Sequence, residues 1–201
     1  MSGTIVVTYD GRGVASMLSA AMLLASPDRL GRVLHEGVRA AGDKTRTVVR
    51  KSLHQQMGTK RYGTIVTATR SFIPGPMTYV IEGSGKGLPI VEFPVRGSRA
   101  KGRTWRDQPR DGAGRFGPLP PTHIGFVTAT PWRVAHNFKR SFVAADGTFK
   151  ARLPSSARTR KLFGPSVAKE LVKGATRTAF EATAMREMEA QIATRLARVA
   201  P

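Results

Sequence analysis

Cysteine is absent from this chain of 201 residues. Its absence excludes a disulfide-stapled scaffold and a cysteine-ligated metal site, and it is compatible with assembly in a reducing cytosol. A chain of this length is long enough to bury a hydrophobic core within a single domain. We therefore expect a packed core, and not covalent cross-links, to stabilise the fold.

Long apolar runs are also absent. The longest, residues 14–25, has twelve residues, whereas a membrane-spanning helix needs about 20. The preceding segment, Thr4–Tyr9, is rich in β-branched residues and is typical of a strand, not of the basic leader of a signal peptide. We therefore expect neither a membrane partner nor a signal peptide.

Acidic residues are few. The chain has 13 Asp and Glu against 33 Lys and Arg, which gives a formal net charge of +20. A sequence pI of about 11.6 indicates an anionic partner or environment. Nucleic acid is one such partner, and an acidic protein surface would serve equally well.

Patterns that carry catalysis or bind a metal ion are missing. The segment Gly83–Gly87 resembles a phosphate-binding loop, but Val80 and Gly87 occupy positions where that motif needs Gly and Ser or Thr. No Ser-His-Asp pattern or nucleophile elbow is present. The sequence therefore predicts no enzymatic activity, no cofactor and no metal site. The histidines lack metal-ligand spacing with an acidic neighbour: His35, His54, His123 and His136.

A long helix is predicted in the N-terminal half, after a short apolar helix at 14–24. Ser26 is a typical N-cap, Pro27 suits the first helical position, and Gly58 follows the expected last residue, Met57. Two glycines, Gly37 and Gly42, favour a bend. The apolar stripe comprises Leu30, Val33, Leu34, Val38, Ala41, Thr45, Val48 and Ser52. The basic face comprises Arg29, Arg32, Arg39, Arg46, Arg50 and Lys51.

The middle of the chain is rich in strand-like segments, and the last part is helical. The final helix is expected from Pro165 to about Val199, and its apolar stripe comprises Val167, Leu171, Ala175, Thr178, Ala182, Met185, Ile192, Leu196 and Val199. The predicted strands are 64–69, 78–82, 89–95, 124–130, 134–144 and 148–153, the last two forming a hairpin. This pattern predicts a single α+β domain, with a central, mostly antiparallel sheet packed with a long N-terminal-half helix and a long C-terminal helix.

A basic, Gly- and Pro-rich loop is inserted in this domain at about 96–122. We expect it to be mobile in the isolated subunit and ordered on assembly. Two aromatic residues in it could stack on bases, but we favour contacts with its own or a neighbouring subunit. The candidate subunit or DNA-channel contacts are Arg96, Arg99, Lys101, Arg103, Trp105, Arg106, Arg110, Arg115 and Phe116.

The segment Arg160–Val167 gives the most specific sequence signal. Gly87–Ile90, Phe138–Ala144 and Arg160–Val167, in that order along the chain, together resemble the minor tail protein Z family, the tail completion proteins of long-tailed bacteriophages. The motif residues at the expected start of the last helix are Leu162, Phe163, Gly164, Pro165 and Ser166. We expect Gly164 to take a backbone conformation that other residues adopt poorly.

The resemblance implies a non-enzymatic structural protein of the virion, assembled in the host cytoplasm and located at the head-proximal end of the tail. Such a protein completes the tail and helps to join it to the capsid connector as a homo-oligomeric ring, with six-fold symmetry favoured. Its partners would be the terminator, the connector or stopper and the tail tube, with non-specific contact to packaged DNA. The alternative is a non-specific, architectural nucleic-acid-binding protein, which the charge also supports.

Overall fold

A computed structural model describes residues 3–8, 27–75, 77–97, 112–114, 127–153 and 158–199. The chain divides into two compact units. Unit 1 comprises residues 1–56, 61–86 and 166–201, and unit 2 comprises residues 57–60 and 87–165. The expectation of a single domain stays a prediction, and each unit is described by itself.

Unit 1 contains two long helices and a three-stranded antiparallel sheet. The strand order is β1-β3-β2, and the register pairs Gly3 with Gly83 and Thr8 with Thr78. Its described elements are β1 (Gly3–Thr8), α1 (Pro27–Met57), α2 (Tyr62–Ala68), β2 (Thr69–Gly75), β3 (Thr78–Gly83), α3 (Val167–Leu171) and α4 (Gly174–Val199).

The first long helix begins and ends as predicted, at Pro27 and Met57. Gly58 follows it with a φ of 68°, the left-handed conformation that often ends a helix. The N-terminal part of the stripe is confirmed at Val38, Ala41 and Thr45, which are buried. Beyond Thr45 the prediction was wrong, because the buried positions continue four residues apart at Val49 and Leu53, whereas Val48 is exposed.

The two glycines within α1 allow close packing. A Cβ on Gly42 would lie 2.2 Å from Cδ2 of Tyr79 on β3, and a Cβ on Gly37 would lie 2.9 Å from Cγ1 of Ile192 on α4. Since neither distance leaves room for a methyl group, the sheet and α4 approach the backbone of α1 directly at these positions. The glycines therefore place α1 against both of its neighbours in unit 1.

Unit 2 is built from short strands in three small sheets. The sheet orders are β5-β6-β7, β10-β9-β8 and the pair β4-β11. Its core includes Phe93, Ile90 and Val127, all almost completely buried. The strands are β4 (Gly87–Pro89), β5 (Val95–Gly97), β6 (Val127–Ala129), β7 (His136–Phe138), β8 (Ser141–Val143), β9 (Phe149–Arg152), β10 (Thr159–Lys161) and β11 (Phe163–Ser166).

The α+β class is confirmed, but the described strands form four small sheets where we expected one central sheet. The predicted strand 64–69 is mostly the helix α2, and a 3-10 turn occupies Ile90–Glu92 inside the predicted strand 89–95. The predicted strand 134–144 is two strands, because Arg140 takes a φ of 56° between β7 and β8. The strand at 78–82 and the 148–153 strand of the hairpin are confirmed. The predicted helix at 14–24 and the N-cap Ser26 lie outside the described residues.

The start of the last helix was predicted wrongly. Pro165 lies in β11, which pairs with β4, and Ser166 is still extended, so α3 begins at Val167. The helix is also interrupted after Leu171, and Gly174, the first residue of α4, takes a φ of 60°. This interruption changes the phase of the apolar stripe, since the predicted core residue Met185 is exposed and Met188 is buried.

Candidate assembly surface

Of the nine predicted contact residues in the basic loop, the structure describes Arg96 alone. Arg96 is exposed on β5, opposite Thr128 of β6. The other eight lie outside the described residues and stay predictions: Arg99, Lys101, Arg103, Trp105, Arg106, Arg110, Arg115 and Phe116. The described candidates for function are therefore the motif segment and the surface around it.

The motif segment is anchored at one end and exposed in its middle. Leu162 is buried, its N–H donates to the carbonyl of Phe149 (3.0 Å), and its carbonyl accepts from the N–H of Ile90 (3.1 Å). The next residue, Phe163, leaves 55% of its surface exposed, whereas Pro165 is buried. The segment therefore holds an exposed phenylalanine between the buried residues Leu162 and Pro165.

Position 164 needs a glycine because a side chain there would have no room, and not because of its φ angle. Its φ is outside the left-handed region, contrary to our expectation. A Cβ on Gly164 would lie 2.5 Å from Cε2 of the fully buried Phe93. A Cβ on Gly87 would lie 2.8 Å from the carbonyl oxygen of Gly164. The two glycines allow β4 and β11 to pair directly beside Phe93.

The sheet β10-β9-β8 carries cations on one face. Its register places Lys161 opposite Lys150, and Lys150 opposite Phe142. The guanidinium of Arg152 lies 5.7 Å from the ring centroid of Phe142, within cation–π range. Alternation along the strands therefore brings three cations and an aromatic ring onto one face.

Asp146, in the turn between β8 and β9, is the acidic group next to this face. The side chain and backbone N–H of Thr148 both donate to its Oδ1, and Lys150 contacts its Oδ2 at 3.1 Å. These hydrogen bonds hold the pKa of Asp146 well below its ordinary value. Asp146 therefore stays ionised, stabilises the turn and neutralises only part of the nearby positive charge.

The two units differ in charge balance. The described residues of unit 2 carry ten Lys or Arg against two acidic residues, whereas those of unit 1 carry sixteen against eight. Several cations of unit 1 are paired, such as Lys44 with Glu187 (3.2 Å) and Arg70 with Glu82 (2.6 Å). Excess positive charge is therefore proportionally greater in unit 2.

Two arginines assigned to the basic face of α1 are engaged within unit 1. Arg50 donates to the side chain and carbonyl of Thr69, and burial lowers its pKa. Arg46 donates to Ser71 and contacts Asp43, whose carboxylate also accepts from the hydroxyl of Tyr79. Burial raises the pKa of Tyr79. These contacts hold α1 on the sheet, so this part of the basic face is structural.

Two exposed apolar patches were not predicted. One lies beside a cavity of about 320 Å³ in unit 2, where Val91 and Phe163 are about half exposed. The other follows β6, where Trp132 is 40% exposed and packs edge-on against His136. Trp132 has a φ of 53°, which a non-glycine residue rarely adopts. Pro131 was a sequence signal for this turn, because proline favours turn positions.

Among the described residues, no group of three or more His, Asp or Glu is placed to hold a metal ion. None of the helices that the structure describes is both long and apolar enough to cross a bilayer. Comparisons with models of known protein families, with curated proteins and with solved structures found no match to this chain.

Proposed function

We propose that this chain is a structural protein of a phage virion, located at the head-proximal end of the tail. There it completes the tail and helps to join it to the capsid connector around the DNA channel. The observation that carries the proposal is the segment Arg160–Val167, which resembles the tail protein Z motif and spans the end of β10 and all of β11.

The geometry of unit 2 supports an assembly role. A ring subunit needs self-complementary or heterologous contact surfaces that close by rotation. Unit 2 offers exposed apolar side chains, Phe163, Val91 and Trp132, on short strands and turns fixed by backbone hydrogen bonds. Exposed apolar groups surrounded by polar residues are typical of protein contact sites.

The cations of unit 2 support proximity to DNA. Non-specific attraction of a duplex requires only Lys and Arg near its phosphates, without contacts to the bases. The same charge favours the second candidate, a free-standing nucleic-acid-binding protein. The two functions differ in whether the chain joins a particle when nucleic acid is removed.

A knockout of the gene in its phage tests the first function. We expect heads and tails that do not join, or joined particles that are not infectious, and restoration by the wild-type gene supplied in trans. A complementing copy with Phe163→Glu should restore joining poorly, because it places a charge in the exposed apolar patch. A matched Val172→Glu copy, at an exposed position of unit 1, should complement well. Normal infectious particles from the knockout would contradict the proposal.

Sedimentation after nuclease treatment separates the two candidates. A virion component should co-migrate with tails or form its own ring when no nucleic acid is present. A monomer that sediments with particles or large complexes only when DNA is present would favour the nucleic-acid-binding function.

A further inference from the structure

Among the strands that the structure describes, β10 lies at the edge of its sheet. Arg160 is paired with Ala151 of β9, and the flanking main-chain bonds join Leu162 to Phe149 and Leu153 to Arg158. In an antiparallel ladder, main-chain groups point alternately toward and away from the partner strand. The N–H and C=O groups of Thr159 and Lys161 therefore point away from β9, and they have no backbone partner in the described part of the chain.

The side chains of this edge are exposed and cationic. All three residues of β10 are exposed, and Arg160, Lys161 and the preceding Arg158 are positively charged. Lys150 lies on the neighbouring strand, opposite Lys161. A strand added at this edge would place its alternate side chains beside these cations on both faces. Because the side chains of this edge are cationic, charge complementarity favours an added strand with acidic side chains.

The end of β10 lines a mostly apolar cavity of unit 2, which Asp146 also lines. The cavity, of about 320 Å³, is lined by residues that include Ile90, Val91, Phe149, Leu162 and Phe163. Lys161, the last residue of β10, also lines it. The cavity therefore adjoins the last residue of β10.

We propose that the β10 edge binds an extended, acidic segment of a partner protein by strand addition, with one apolar side chain of that segment in the adjacent cavity. Main-chain hydrogen bonds give affinity in this mode, and side-chain pockets give specificity. This chain has only 13 acidic residues, so we assign the segment to another protein. This inference rests on the proposed function only for the identity of the partner protein. Peptide binding and the joining of heads to tails are measured separately, so either can fail without the other.

A synthetic probe tests the edge directly. The probe is an acetylated, amidated peptide that alternates glutamate with valine and ends in phenylalanine, and its binding to the full chain is measured by calorimetry. We expect saturable binding with one site per chain. Replacing its glutamates by lysines should weaken binding at least about tenfold, because the edge is cationic. Equal binding of both peptides would overturn the proposal.

N-methylated probes separate strand addition from simple charge attraction. Only every second N–H of an added strand faces its partner. Methylation of the amides in one alternate set should therefore abolish binding, and methylation of the other set should leave it nearly unchanged. Equal effects of the two sets would overturn the proposal, as would binding of a short DNA duplex with no measurable binding of the peptide.

Variants of Thr159 provide the matching protein-side test. Thr159→Pro removes the outward N–H but no hydrogen bond to β9, and we expect about tenfold weaker binding of the acidic probe. Thr159→Val keeps the N–H and the branched shape, and its affinity should match the wild type. Lys161→Glu should weaken binding by a similar factor. Circular dichroism checks that each variant is folded. If Thr159→Pro is unfolded, the N-methylated probes test strand addition in its place.

Discussion

At the scale of single residues, glycines in this chain serve two different purposes. Gly58 and Gly174 take positive φ angles at helix ends. Gly42, Gly87 and Gly164 have ordinary φ angles but leave no room for a side chain. The end of α1 at Gly58 could be predicted from the sequence because a long periodic helix precedes this glycine. The role of Gly164 was predicted wrongly, because its close approach to Phe93 depends on a residue far away in the chain.

Gly164→Val should destabilise the protein by about 1–3 kcal/mol, the range for overpacking a core. The new Cβ would lie 2.5 Å from Cε2 of Phe93, which is completely buried. Thermal unfolding followed by circular dichroism measures the effect, and a fall of several degrees is expected.

Ser166→Ala is the control within the same motif. The Oγ of Ser166 is buried and has no hydrogen-bond partner among the described residues, and it does not cap α3. Its removal should leave stability unchanged or slightly higher, because no bond is lost. Equal melting temperatures for both variants would show that Gly164 has no special packing role.

At the scale of elements, the side-chain amide of Gln56 bridges the interruption between α3 and α4. The Nε2 of Gln56, on α1, donates to the carboxylate and the carbonyl of Glu170 on α3. Its Oε1 accepts from the backbone N–H and the hydroxyl of Thr176 on α4. Glu170 is buried and also contacts Lys173 at 2.8 Å. One side chain of α1 therefore connects both helices at the interruption.

Gln56→Ala should cost about 1–3 kcal/mol, because it leaves buried polar groups of Glu170 and Thr176 without a partner. Urea unfolding measures the change. The neighbouring Gln55 is exposed, so Gln55→Ala removes the same side chain without that loss and should have an effect within about 0.5 kcal/mol. Similar losses for the two variants would contradict the role assigned to Gln56.

Elements were predicted well where the local sequence marks both ends. The Pro27 and Gly58 signals bound α1, and the Asp146-Gly147 turn marked the β8–β9 hairpin. The helix α2 was missed because Thr64, Ile65 and Val66 have high strand propensity, which tertiary contacts override. No sequence signal marks β10 as an open edge either, since that property depends on which strands pair.

At the scale of the whole molecule, the balance of charges matters more than their number. Cations of unit 1 such as Lys44 and Arg70 have acidic partners, whereas unit 2 has ten basic and two acidic described residues. The net charge was evident from composition, but this distribution required the structure. The described residues of both units carry a net charge of +8, but unit 2 has fewer carboxylates to pair with its cations. We therefore expect a polyanion to contact the cations of unit 2 more readily than those of unit 1.

Binding of unrelated DNA duplexes should be equal in affinity and should weaken with salt. Replacing Lys139 and Arg160, both exposed in unit 2, by Gln should reduce the log–log salt slope by up to about 1.8, or about 0.9 for each lost phosphate contact. Fluorescence anisotropy at several salt concentrations measures the slope.

Lys44→Gln with Arg70→Gln is the matched control, since it removes the same net charge from unit 1. Because Glu187 and Glu82 already neutralise these cations, the slope should change by less than half as much. A larger effect of the control pair would place the DNA-binding surface in unit 1.

The exposed cations of β10 also affect how copies of the chain behave when concentrated. Two β10 edges that met side by side would bring Arg158, Arg160 and Lys161 of one copy against the same residues of the other. Like charges across a strand pair are unfavourable, and charged edges protect natural sheets from aggregation. The Debye length falls from about 10 Å at 0.1 M salt to about 3 Å at 1 M, so concentrated salt weakens this protection. Purification at moderate ionic strength therefore suits this protein best, and edge-to-edge aggregation is the failure to watch for in salt-rich buffers.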